Sequence, residues 1–251
     1  MKGKTAIVTG SARGIGYGTA TCLARKGANV VIGDMDAAAA RASAEKLSRE
    51  TGAKAIGVQC DVTVRSQVEA MIADAKKKFG GVDILVNNAG ICPFVEVMDM
   101  SEEMFKRTID VNLTGAFHCT QLAGRLMIEQ GRGGRVVFIT SLAVNVTASA
   151  QADYAASKAG LHMLMKSFAI ALGRHGITCN AIAPGMILTD MTRHHWEQPE
   201  PAAFIKTRVP VGRIGTPEDI GNAVALLCAD EAAYINGVGI IVDGGHQAVC
   251  V

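Results

Sequence analysis

Charge of one sign, paired cysteines and long apolar runs are all scarce in this chain, and each scarcity removes a class of function. The 251 residues carry 25 Lys and Arg against 23 Asp and Glu, a formal net charge of +2. Aromatics make up only 4% of the chain and no dense basic stripe interleaves with them, so nucleic acid is not expected as a partner. The seven cysteines (Cys22, Cys60, Cys92, Cys119, Cys179, Cys228, Cys250) include no Cys-x-x-Cys pair. An odd count without framework spacing reads as reduced thiols, mostly small core residues, and the expected location is the cytoplasm. No apolar stretch approaches bilayer-spanning length, so no membrane partner is expected. The strand pattern at Thr5 to Val8, which Gly10 ends, is too short for a signal-peptide core. Repeats, low-complexity tracts and linkers are missing too, and this length fits one large domain better than two small ones.

What is present is an alternation. Short β-branched apolar runs at residues 6–8, 30–32, 55–58, 84–86, 136–139, 178–182 and 239–242 alternate with helical stretches at 14–26, 37–50, 64–79, 102–129, 152–174 and 217–228. The runs are hydrophobic throughout, without in/out alternation, as strands covered on both faces must be. The pattern predicts an α/β doubly wound parallel sheet with ligands at the carboxyl ends of its strands. One long irregular segment, 185–209, reads as a substrate lid. Residues 154–172 are apolar almost all the way round, so this helix is expected in the core or against a second subunit, with Phe168 on its outward face.

The first strand runs into Thr9-Gly10-Ser11-Ala12-Arg13-Gly14-Ile15-Gly16 and then a helix. Glycines at such a turn let backbone approach a pyrophosphate, and the helix N-terminus offers free N–H groups and positive dipole. Asp34 follows the second strand about 20 residues on, where a carboxylate binds adenosine ribose hydroxyls. Asp36 is better spaced to cap the following helix, which leaves Asp34 free for the ribose. Asp61 ends the third strand, either to receive the adenine amino group or to cap a helix. Asn87-Asn88-Ala89-Gly90 ends the fourth, as a site of close cofactor approach or a plain turn.

Tyr154 and Lys158 are four apart on one helix and share a face. Ser141, at the end of the fifth strand, is within reach of the phenol once the chain turns into that helix. An ordinary tyrosine titrates near pH 10, and lowering it by two to three units needs roughly 3–4 kcal/mol. A lysine ammonium near 4 Å supplies about 4 kcal/mol at an effective dielectric of 20, before its own desolvation. A phenol so tuned takes the proton of an alcohol while hydride leaves carbon, or returns it to a ketone. Ser141 then holds the reacting oxygen.

Thr9–Gly16, Asn87–Gly90, Asn112 in Val-Asn-Leu-Thr-Gly, Ser141, Tyr154 with Lys158, and Pro184-Gly185 together resemble the short-chain dehydrogenase/reductase family over essentially the whole chain. The resemblance implies a seven-stranded parallel Rossmann-type sheet, a homotetramer or dimer, a small-molecule substrate and a catalytic set of Tyr154, Lys158, Ser141 and Asn112. In it Tyr154 is the general acid/base and Lys158 also contacts the nicotinamide ribose. Ser141 orients substrate, and Asn112 supports a proton-relay water through its local backbone. Cofactor contacts fall on Gly10, Arg13, Gly14, Ile15, Gly16, Asp34, Met35, Asp61, Val62, Asn88, Ala89 and Gly90, and on Pro184, Gly185, Ile187 and Thr189 toward the nicotinamide. Gln151 joins Ser141 and Tyr154 at the substrate.

Two groups within the family compete. NAD-dependent sugar and polyol dehydrogenases carry an acidic residue where Asp34 stands. The 3-oxoacyl-carrier-protein reductases, usually NADPH-dependent, resemble AQADYAASKAGL and PGMILTDMT, and dock their acidic carrier through two arginines. Arg132 stands at one such position and His175 at the other. Asp34 favours NAD over NADP, and with it the first group. A nucleotide-binding redox sensor would have no use for Ser141, Tyr154 and Lys158 together. His194-His195-Trp196 reads as lid, since adjacent loop histidines seldom converge on one ion, and no metal is expected.

Overall fold

The computed structural model describes residues 1–190, 192, 205 and 207–249; His194, His195, Trp196 and most of the expected lid lie outside the described residues. Its strands are β1 (Thr5–Thr9), β2 (Asn29–Asp34), β3 (Ala55–Gln59), β4 (Ile84–Asn87), β5 (Gly134–Ile139), β6 (Ile177–Pro184) and β7 (Gly239–Val242). All pair in parallel, in the order β3-β2-β1-β4-β5-β6-β7. The helices are α1 (Gly14–Arg25), α2 (Ala37–Thr51), α3 (Arg65–Phe79), α4 (Glu102–Ile109), α5 (Gly115–Gln130), α6 (Ala152–Gly173) and α7 (Pro217–Leu227). Every expected strand is present; β7 keeps its expected bounds and the others are longer by one to three residues.

Register explains why the strands are hydrophobic throughout. Val31, Ile7, Leu85, Val136 and Cys179 form one row across the sheet and pack under α3, α5 and α6 through Met71, Met127 and Met165. The residues one step on, Ile32, Val8, Val86 and Val137, form a row on the other face, under Leu23, Leu47 and Val224 of α1, α2 and α7. Both faces are therefore core, and each fully buried Ile, Leu or Val contributes about 1.5–3 kcal/mol. Asp36 does cap α2, accepting from Ala38 N and Ala39 N at 2.9 and 3.0 Å. α7 begins with Pro217 and a reciprocal pair between Thr216 and Asp219.

Two expectations are corrected. The stretch read as one helix over 102–129 is interrupted by a π-helical turn, Asp110–Thr114. Gly115 permits it, because a Cβ there would stand 2.5 Å from Val62 Cγ2. Phe168 points inward, its ring 6.4 Å from Phe138 and 6.1 Å from Phe117. The outward face of α6 carries Met163 and Ile170 instead, 59% and 83% exposed.

Connections leave β1 toward β2 on one side and enter β4 on the other, so a crevice opens beyond the carboxyl ends of β1 and β4. No helix among the described residues is long and apolar enough to cross a membrane.

Candidate active site

The glycine turn lies at the mouth of that crevice. Gly10 has φ +59° and lies so close to Ala89 that a Cβ would come within 2.8 Å of its Cα. A Cβ on Gly16 would stand 2.4 Å from Gly10 O. The backbone is thus folded tightly on itself. Arg13, at the N-cap of α1, makes no side-chain cap, and no acidic residue occupies the first turn. The amides of Gly14, Ile15 and Gly16 and the helix dipole are left to an anion, a fit to a dinucleotide pyrophosphate.

Neighbouring groups hold this turn in place. Asn88 spends its side-chain amide on Thr9 O and Gly10 O, at 2.9 and 2.8 Å, and the Thr9 hydroxyl accepts from Asn88 N and Ala89 N. Asn88 therefore shapes the turn, with its backbone N–H and its side-chain NH2 both spent on it. Asp34 accepts from Ala12 N at 3.1 Å and from Asp36 N at 3.2 Å, which fixes its carboxylate at the end of β2 beside the turn. Met35 beside it is exposed, as is Arg13. Asp61 is no helix cap, for Val64 takes that place in α3. Its Oδ1 closes a local turn with Thr63 N and Oγ1, and the next residue, Val62, is buried. Pro184 ends β6, and Gly185 lies against Asp243, where a Cβ would be 2.5 Å from Asp243 Cβ. The Ile187 side chain turns into the core and against Gly215, leaving its backbone alone toward the crevice. Thr189 faces the glycine turn, 3.8 Å from where a Gly14 Cβ would be.

The other half of the site gathers on α6. Lys158 Nζ lies 5.5 Å from the centre of the Tyr154 ring and donates to Ile139 O at 2.8 Å. Gly90 leaves room for this, since a Cβ would stand 3.4 Å from Lys158 Nζ and 3.2 Å from Asn112 Oδ1. Ser141 caps the turn after β5 by accepting from Ala143 N, and hydrogen-bonds the Tyr154 phenol. Asn112, wholly buried in the π-helical turn, accepts from Ile91 N at 2.8 Å and donates to Ile91 O and Ser157 Oγ at 3.0 and 2.9 Å. Asp153 accepts from Tyr154 N at 2.7 Å and from the Thr108 hydroxyl at 2.5 Å. Gln151 stands at the N-cap of α6, three residues before Tyr154.

One electrostatic expectation is reversed. Burial pushes the Tyr154 phenol up to about 12, against the downward pull of the Ser141 hydrogen bond. Burial also brings the Lys158 ammonium down to about 8. Burial moves both groups toward their neutral forms, because each charge would be desolvated, yet a lysine at about 8 still holds its proton at neutral pH, where it donates to Ile139 O. Cys92, Asp153 and Ser157 are further members of this cluster that sequence reasoning did not single out as site residues. Asp153 and Ser157 flank Tyr154 in the quoted motif, whereas Cys92 carried no signal.

A family model described as Enoyl-(Acyl carrier protein) reductase matches residues 10–247. The chain is 44% identical to the L-rhamnose 1-dehydrogenase (NAD(P)(+)) of Azotobacter vinelandii over 245 residues, covering 96% of each. It is 41% identical to the 3-oxoacyl-[acyl-carrier-protein] reductase of Escherichia coli, covering 99% of each. A putative short-chain alcohol dehydrogenase from Sinorhizobium meliloti superimposes with a TM-score of 0.93 at 35% identity, over 99% of this chain and 98% of that one. Such likeness over nearly the full length, on a sheet that brings Ser141, Tyr154 and Lys158 together, shows that the chain belongs to the short-chain dehydrogenase/reductase family, nicotinamide-dependent oxidoreductases acting on CH–OH groups.

Proposed function

We propose that this enzyme oxidises a hydroxyl of a sugar or polyol, with NAD as the preferred acceptor and NADP a weaker one. The observation that carries the reading is the pairing of the Ser141–Tyr154–Lys158 cluster with a fixed Asp34 carboxylate at the end of β2. The likeness to an L-rhamnose 1-dehydrogenase supports it and makes L-rhamnose the first substrate to try. Gly10, Arg13 to Gly16, Asp34, Met35, Asp61, Val62, Asn88 to Gly90, Pro184, Gly185, Ile187 and Thr189 would hold the cofactor, which when bound supplies the hydride acceptor and, oxidised, a positive charge.

The chain's own residues handle the proton. Ser141 holds the substrate oxygen beside the Tyr154 hydroxyl, which takes the alcohol proton on oxidation and returns it on reduction. The phenolate form draws on the Ser141 hydroxyl and on the Lys158 ammonium within reach of the ring. Asn112 holds the Ile91 backbone and Ser157 rigidly, which keeps the π-helical turn facing Tyr154. The segment 185–209 serves as lid over the substrate.

The 3-oxoacyl reductase reading fits less well. Arg132, one of the two cations it needs for an acidic carrier, is already ion-paired with Asp83 at 2.7 Å. Assembly and location belong to the same proposal: a cytoplasmic dimer or tetramer. A groove of about 450 Å³, lined by Leu113, Phe117, Met163 and Leu164, lies between the outer faces of α5 and α6. An apolar surface of this kind suits a second copy of the chain. Steady-state turnover with L-rhamnose, other sugars, polyols and a 3-oxoacyl thioester, each with both cofactors, tests the function. Sugar oxidation with NAD is expected, and thioester reduction with NADPH at ten times that efficiency would overturn the reading.

A further inference from the structure

The loop that follows β3 is gripped from three elements. Cys60 N donates to Asp34 O at 2.8 Å, which ties the loop to the end of β2. Asp61 N donates to Gln67 Oε1 of α3 at 2.9 Å. The third grip comes from α5. His118 there is half-buried, with Nδ1 3.2 Å from Val62 O, and because a carbonyl only accepts, that nitrogen carries the hydrogen. One turn earlier on α5, Gly115 receives the buried Val62 side chain: a Cβ on Gly115 would stand 2.5 Å from Val62 Cγ2. Thr63 N in turn donates to Asp61 Oδ1 at 2.9 Å. The peptide between Val62 and Thr63 is thus held at both ends, its oxygen by His118 and its nitrogen by Asp61.

Two polar groups on consecutive residues are left over. Asp61 Oδ2 and Val62 N–H have no hydrogen-bond partner among the described residues. The first accepts and the second donates. The edge of an adenine ring offers the complement, an amino group that donates beside a ring nitrogen that accepts. Hypoxanthine has a carbonyl in place of that amino group and a hydrogen on that ring nitrogen, so it reverses both. The order β3-β2-β1 places this loop one strand beyond Asp34, counted from the glycine turn. With pyrophosphate at the turn and ribose at Asp34, the base is the next group along.

We propose that His118 is a positioning residue for base recognition: by holding the Val62 carbonyl from α5, it fixes the loop on which Val62 N–H and Asp61 Oδ2 select adenine. This rests on the reading above that assigns Asp61 and Val62 to the cofactor. His118 acts through Val62 and not on the base itself. Without its hydrogen bond the Val62–Thr63 peptide is free to turn, and a donor and an acceptor that must meet two atoms at once lose their discrimination.

Fluorescence titration with NADH and with reduced nicotinamide hypoxanthine dinucleotide, which differs from it only at the base, tests this with no sugar present. Wild type should bind NADH about 10- to 100-fold more tightly. His118→Phe keeps a ring but has no donor. It should weaken NADH binding about tenfold and leave the hypoxanthine form within about threefold, so that the preference narrows. His118→Asn, whose amide nitrogen can take the place of Nδ1, should restore the wild-type preference to within about threefold. In sugar turnover the loss in His118→Phe should fall on KM for NAD, with kcat at saturating NAD changed less than about threefold. Partial unfolding would lower the number of binding sites and not the ratio of the two affinities. A His118→Phe enzyme that keeps the wild-type preference, or loses affinity for both dinucleotides alike, would overturn the role of His118 and leave the cofactor reading intact. A wild type that binds both dinucleotides equally would remove the adenine contacts from Asp61 and Val62, and the role of His118 with them.

Discussion

Asn112 and Tyr154 are joined through a single hydroxyl: Asn112 Nδ2 donates to Ser157 Oγ at 2.9 Å, and Ser157 donates to Tyr154 O at 2.7 Å. The Tyr154 N–H is held by Asp153, so both backbone groups of this residue are bonded by side chains. Asn112 carries the greater load, because it also satisfies the Ile91 amide and carbonyl. Asn112→Ala should leave these part-buried groups unpaired, at a cost of about 2–4 kcal/mol. Thermal unfolding checks this, and a melting temperature within about 2 °C of wild type would show that water replaces the amide.

Tyr154→Phe removes the transferable proton and keeps the ring over which Lys158 sits. Turnover should fall at least about 100-fold, the range for a positioned acid–base group, while NAD affinity measured by fluorescence titration changes little. A variant that keeps a tenth of wild-type turnover would refute the role.

Burial holds Lys158 at about 8, below its usual 10.5. An unfolded lysine keeps its proton to higher pH, so between those values the unfolded chain binds more protons and stability rises with pH. Tyr154, raised to about 12 from 10.0, acts in the opposite sense: the folded chain keeps its proton longer, and stability falls as pH rises from about 10 to 12. Between pH 7.5 and 10 the lysine is what separates wild type from Lys158→Met, since the buried thiols, raised from their usual 9.0, act alike in both. Relative to Lys158→Met, wild type should gain up to about 3 kcal/mol in denaturant unfolding over that window. A difference that stays flat would mean the folded site retains the ammonium.

Cofactor choice should follow the Asp34 charge. A 2′-phosphate near it meets repulsion that screening leaves at roughly 2–3 kcal/mol, a preference for NAD of about 30- to 150-fold. Exposed Arg13 recovers only about 1 kcal/mol of this. Asp34→Asn, whose single amide oxygen can accept from Ala12 N or from Asp36 N but not from both, should narrow the preference at the cost of one of these two hydrogen bonds. A wild-type kcat/KM that favours NADP tenfold would refute the electrostatic argument.

Met163→Glu places a charge on the outward face of α6, where Met163 is 59% exposed in the single chain. Wild type should sediment as a dimer or tetramer at micromolar concentration and the variant as a smaller species. A wild-type monomer would show that this face is free.

Amino-acid order by itself determined the sheet. Strands buried on both faces must be apolar at every position, and the glycines, Asp36 and Pro217 that end or begin elements act through local backbone geometry. Gly10, Gly16, Asp34, Ser141, Tyr154 and Lys158 were legible for a related reason: the fold carries each to a strand's carboxyl end or a fixed helix position. Only the tertiary structure decided what depends on through-space neighbours. The π-helical turn at Asn112 exists because Ile91 and Ser157 draw that side chain in, and helical periodicity carries no trace of it. Phe168 is drawn toward the sheet by the buried Phe138 ring, which stacks against it. Cys92 gains its place from Gln151, 59 residues away. The raised phenol and lowered lysine follow from burial, a property of the packed site that spacing along one helix cannot express.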